Sequence, residues 1–144
     1  MQLKNLIIDS KSAWVDFPGM PGFSVQVVNL SRKELTGLRK RCVTQKLDRK
    51  TRQMEEVLDE EKFVIEFTNA TISNWKGLTL EHLETLLLID TAGKDLSEEL
   101  PFTTDNAEIL VGQSTEFDSW LNEVVFDLDN FRTVSDGRAV ETSD

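Results

Sequence analysis

The chain of 144 residues has a single cysteine, Cys42, and a single histidine, His82. One cysteine excludes a disulfide within the chain, and a reducing cytoplasm is the expected setting. The sequons at Asn29 and Asn69 therefore carry no expectation of a glycan. A zinc site needs several Cys or His ligands, which these two residues do not supply. A hydrolase-like triad needs a histidine base beside a nucleophile, and His82 falls among leucines, where it reads as a core-edge residue. No apolar run approaches the length of a membrane span, and the first residues lack a signal-peptide h-region. Gly93-Lys94 lacks the earlier glycine of a phosphate-binding loop, since Leu88 stands in its place. Asp127-Leu128-Asp129 lacks the glycine and distal glutamate of a calcium loop. Acidic pairs such as Glu98-Glu99 are plentiful, but nothing sets two of them apart as acid and base. Enzymatic activity, a cofactor and a bound metal are accordingly not expected.

Basic residues are also scarce, 16 against 26 acids, for a net charge of −10. That balance argues against nucleic acid as a partner, because such binding needs cations to displace counterions. The charge is unevenly placed. Asn29 to Gln53 holds nine basic residues and two acids, about +7; Glu55 to Asn130 holds three and nineteen, about −16. Two readings follow. The basic segment docks beside the acidic helices of its own chain, or one segment faces a partner of opposite charge and speeds association with it.

The patterning predicts an α+β fold, mainly α. Antiparallel strands are expected at about 3–8, 13–17 and 23–30, the first two separated by the turn-like Asp9-Ser10-Lys11. Phe17-Pro18-Gly19-Met20-Pro21-Gly22-Phe23 must be a loop, because its proline and glycine breaks cannot sit in a ladder. The loop is unusually apolar. Its phenylalanines either cap the core, or Phe17 and Met20 grip a partner. Helices are expected near 32–44, 60–75, 80–89, 104–111 and 115–130. Ser31-Arg32-Lys33-Glu34 is a capping box for the first. That helix carries Arg39, Lys40 and Arg41 on its wet side, and Gly37 within it implies a close backbone approach. Asp48-Arg49-Lys50-Thr51 marks either a hairpin tip or a disordered loop.

Asp59 is a good N-cap for the second helix, and Glu60 and Glu61 follow where the helix dipole favours negative charge. Phe63, Phe67 and Ala70 share one stripe; Val64, Thr68, Thr71 and Trp75 lie beside it. Trp75, Gly77 and Leu78 then form a structural corner. Gly77 is expected at the C′ position of the helix, and Thr79 caps the next one. Thr103-Thr104-Asp105 starts a short helix that Gly112 ends, and Ser114 caps the last. There Phe117, Trp120, Leu121, Val124, Val125, Leu128 and Phe131 make a continuous apolar stripe, fit for core packing or for docking in a partner's groove. One domain over 1–131 is expected, with a loose tail over 132–144.

The order of these motifs resembles the tail assembly chaperones of long-tailed bacteriophages. Val27-Val28-Asn29-Leu30 runs into Ser31-Arg32-Lys33-Glu34-Leu35. A charged hairpin-like segment follows, then Leu58-Asp59-Glu60-Glu61-Lys62-Phe63. Asn74-Trp75-Lys76-Gly77-Leu78 and Glu99-Leu100-Pro101-Phe102-Thr103 come next, and Phe117-Asp118-Ser119-Trp120-Leu121 closes the series. The likeness covers about Trp14 to Phe131 and lies in the order and spacing of short motifs. It implies a non-enzymatic protein of the host cell cytoplasm that coats the long, apolar, helical tape measure protein, keeps it soluble and recruits tail tube subunits. Self-association is a further partner expectation beside these. The resemblance supplies no catalytic residues and no fixed contact set. Arg39, Lys40 and Arg41 are the expected client contacts, a basic helix reading acidic stretches of the client. A structural virion protein of the tail and a small acidic inhibitor or adaptor of a host protein remain the alternatives.

Overall fold

The computed structural model describes residues 1–8 and 11–132. It has the expected α+β architecture, mainly helical, with antiparallel sheets. The first described element is a short 3-10 turn, Leu3–Asn5, where a strand over 3–8 is expected. The apolar run Leu3–Ile8 pairs with no strand among the described residues; its large side chains are exposed. Of the turn at Asp9-Ser10-Lys11, only Lys11 lies within the described residues.

Strands β1 (Ser12–Asp16) and β2 (Ser24–Val28) form an antiparallel pair in which Val15 faces Val25. The loop between them closes through Phe17 N–H to the Phe23 carbonyl at 3.0 Å. Helix α1 (Arg32–Arg41) starts at Ser31 with both halves of the capping box in place. It stops at Arg41, not near 44, because Val43–Leu47 forms strand β3. Strand β4 (Met54–Leu58) pairs with β3 antiparallel, Leu47 facing Met54. Asp48 to Gln53 is thus a hairpin tip. The Asp48 carboxylate accepts from the Lys50 N–H at 2.8 Å, an Asx turn of the kind that residue favours.

Helix α2 (Glu60–Thr71) carries Asp59 as its N-cap, accepting from the Lys62 N–H. It ends four residues earlier than the helical spacing predicts. Ile72–Lys76 is strand β5, added to the free edge of β2 with Trp75 opposite Val25. The expected pair of helices meeting at a corner is therefore a helix running straight into a strand. The helical period through Thr71 to Trp75 loses to the unpaired N–H and C=O groups along β2, which need partners once buried. The sheet order is β1-β2-β5, with Val25 and Val27 of the middle strand fully buried.

Gly77 has φ +75°, as the left-handed reading requires, but it follows a strand, not a helix. A Cβ there would stand 1.9 Å from the Gly22 carbonyl oxygen, so two loops cross at this point. Thr79 caps α3 (Leu80–Leu86), accepting from the His82 N–H at 3.2 Å. Thr103 caps α4 (Thr104–Gln113). Ser114 ends α4 and caps α5 (Thr115–Val125), which stops well before 130; Leu128–Asn130 is a separate 3-10 turn. One apolar cluster spans the sheet, α3, α4 and α5. At its centre Phe17 lies 4.9 Å from Trp120 and 5.9 Å from Phe117, ring centre to ring centre. The α5 stripe is core through Val125, and Phe131 rejoins it, while Leu128 is exposed. Of the tail expected over 132–144, residues 133–144 lie outside the described residues.

Candidate docking surfaces

The residues expected to touch a partner separate into three environments. Phe17 and Met20 are 3% and 8% exposed and belong to the core, so the apolar loop caps the core and offers neither side chain as a grip. Arg41 and Arg39 are exposed but engaged within the chain. The Arg41 guanidinium stands 3.3 Å from the Glu66 carboxylate. That of Arg39 lies over the Phe63 ring at 5.5 Å, a cation–π distance. Both tie α1 to α2, which is the intramolecular reading of the charge asymmetry on a small scale. Lys40 stays on the open face of α1 beside Arg32, Lys33, Thr36 and Gly37.

Gly37 is where expectation and structure differ most usefully. A Cβ built there would meet only the Arg41 side chain, at 3.9 Å, so among the described residues no backbone from outside the helix approaches it. The glycine instead opens a bare stretch of helix onto a cleft of about 930 Å³ between α1 and the N-terminal arm. Ile7 and Ile8 form one wall, and Leu30, Leu38 and Ala70 belong to the other; Lys4, Lys33 and Arg41 give the rim its positive charge, relieved by Glu34. Leu3, Leu6, Ile7 and Ile8 are each more than half exposed. Sequence reasoning placed these side chains in a strand. The signal it lacked was a partner strand, which no pattern of six residues can announce.

A second cleft, of about 480 Å³, lies between α2 and α4. Val64 and Ile65 line it from α2, Ile109 and Gly112 from α4, and Glu60, Glu61 and Glu108 flank it. The two helices are tied by Asn69 Nδ2 donating to Glu108 at 3.0 Å. The sequence held one clue to this cleft: Ile65 falls on neither apolar stripe of α2. Trp75, Gly77 and Leu78, by contrast, are structural. The Trp75 indole donates to the Leu100 carbonyl at 2.9 Å and meets Phe102 edge-on at 5.2 Å. His82 is half-buried, its ring 6.3 Å from Phe23. Among the described residues no group of His, Cys, Asp and Glu is arranged to hold a metal, and no helix is long and apolar enough to cross a membrane. No family model, no curated protein and no solved structure matches the chain.

Proposed function

We propose that the protein is a non-enzymatic tail assembly chaperone acting in the cytoplasm of the infected host, where it binds the tape measure protein and helps bring tail tube subunits to it. The observation that favours this reading most is the cleft beneath the N-terminal arm: apolar walls, a glycine floor and a cationic rim on a chain of net charge −10. An apolar helical client with acidic stretches suits such a surface, its backbone close to Gly37 and its carboxylates near Lys4 and Lys33. The remaining acidic surface would make coated complexes repel one another and stay in solution. The order of motifs along the chain supports the same reading.

Co-expression with a tape measure protein tests it. The client is expected in the soluble fraction with the wild-type chain. With Ile7→Asp and Ile8→Asp together, or with Lys4→Glu and Lys33→Glu together, it is expected in the pellet, although each variant keeps its melting temperature. A client that stays soluble with both variants would remove this cleft from the function. A client that is insoluble even with the wild-type chain would remove the chaperone reading itself.

A further inference from the structure

The α2–α4 cleft has no part in that proposal, and its chemistry is opposite in sign. Ile65 and Ile109 are 43% and 49% exposed on facing helices, where burial of such side chains is the norm. Helical spacing sets Glu61, Val64 and Ile65 on one wall, and Glu108, Ile109 and Gly112 on the other. The lining holds three carboxylates and no cation. Gly112, near the C-terminal end of α4, lies against Val64 of α2, to which a Cβ built on it would stand at 3.7 Å, so the two helices meet at the floor of the cleft. Residues 133–144 carry three acids and one arginine, the wrong sign to fill the cleft.

We infer that this cleft is a docking site for an amphipathic helix whose apolar stripe is flanked by Lys or Arg. The stripe would bury Ile65 and Ile109, completing a three-helix packing with α2 and α4. The flanking cations would meet Glu60 and Glu61 on one side and Glu108 on the other. Apolar burial supplies the attraction, and the carboxylates choose the sign of the partner and speed its approach. With the arm cleft selecting the opposite sign, one chain can hold two segments at once without competition between them.

The test uses two labelled helical peptides that share one apolar stripe and differ only in flanks, all lysine or all glutamate, with binding read by fluorescence anisotropy. The lysine-flanked peptide is expected to bind more tightly by about tenfold or more at low salt, the gap narrowing as salt is added. In Glu60→Lys, Glu61→Lys and Glu108→Lys combined, the preference is expected to invert. In a control with the same number of charges reversed elsewhere, Glu98→Lys, Glu99→Lys and Glu123→Lys, it is expected to persist, which separates the cleft from the overall negative field. Ile65→Ser with Ile109→Ser is expected to weaken the lysine-flanked peptide while circular dichroism shows the fold intact. Equal binding of both peptides, binding of neither, or a preference that the cleft reversal leaves standing would overturn the assignment.

Discussion

The two sheets of this protein are built alike and do different things. Every strand in both is five residues long, and every pairing is antiparallel. In β1-β2-β5 the middle strand is buried through Val25 and Val27, and Trp75 on the edge strand is buried with them. In β3-β4 the outer end pairs Leu47 with Met54 in plain water, 54% and 59% exposed. The first sheet has two ladders, one of them with a register shift between Gln26 and Val27, and the second has one; what separates them most is apolar burial. A two-stranded ribbon without a packed face is marginal in water, so the β3-β4 hairpin owes its order to its turn and its root. At the root, the Asp59 N–H donates to the Cys42 carbonyl at 2.6 Å, and Cys42 is fully buried. Apolar burial is concentrated in the first sheet and the helices on it, which leaves the ribbon and the arm the least constrained by packing.

The largest expected effects test the buried sheet. Trp75→Ala removes a ring that packs on Phe102 and donates to the Leu100 carbonyl, and is expected to cost about 3–5 kcal/mol in urea unfolding. A loss under about 1 kcal/mol would mean that β5 is dispensable to the core. Gly77→Ala comes next. Its left-handed backbone costs an L-residue about 1–2 kcal/mol, and moving the Gly22 carbonyl out of the way costs about 1–3 kcal/mol more. A melting temperature unchanged by this substitution would show that the two loops do not cross so closely in solution.

The sequence disclosed the helix starts of this fold far better than its strand partners. Ser31, Asp59, Thr79, Thr103 and Ser114 each accept from the N–H three residues on, as their positions before apolar periods required. A cap is a local interaction, decided by residues a few places apart, so a sequence can spell it out. The error at Trp75 was of another kind. Val64, Thr68, Thr71 and Trp75 obey a helical spacing, and only the free edge of β2, some fifty residues earlier, makes Ile72–Lys76 a strand. The same dependence on distant partners hid the fate of Leu3–Ile8, whose apolar run pairs with no strand among the described residues. Of the candidate surfaces, the basic face of α1 was legible from charge, but its division was not. Whether Arg39 and Arg41 are engaged depends on Phe63 and Glu66 across the packed helices. Phe17 and Met20 show the limit of composition: an apolar loop can cap a core or grip a partner with the same residues.

Smaller effects define the boundary between the two regions. Ser114→Ala removes the side chain that caps α5 at its junction with α4, where the Phe117 N–H donates to it at 3.1 Å in a buried setting. The expected loss is about 1–2 kcal/mol, read as a parallel shift of the urea curve with its slope unchanged. The smallest effect belongs to the ribbon. Leu47→Ser and Met54→Ser together remove two exposed apolar groups that stand opposite each other across the hairpin, so global stability is expected to change by no more than about 0.5 kcal/mol. Hydrogen exchange sharpens the same point. The amides of Thr44 and Lys46 are expected to exchange through local opening, far faster than those of Val25 and Val27, which wait for global unfolding. If the double variant instead lowers the melting temperature as much as Ser114→Ala does, the ribbon is packed against something in solution. The contrast between a buried and a bare sheet would then fail at its bare end.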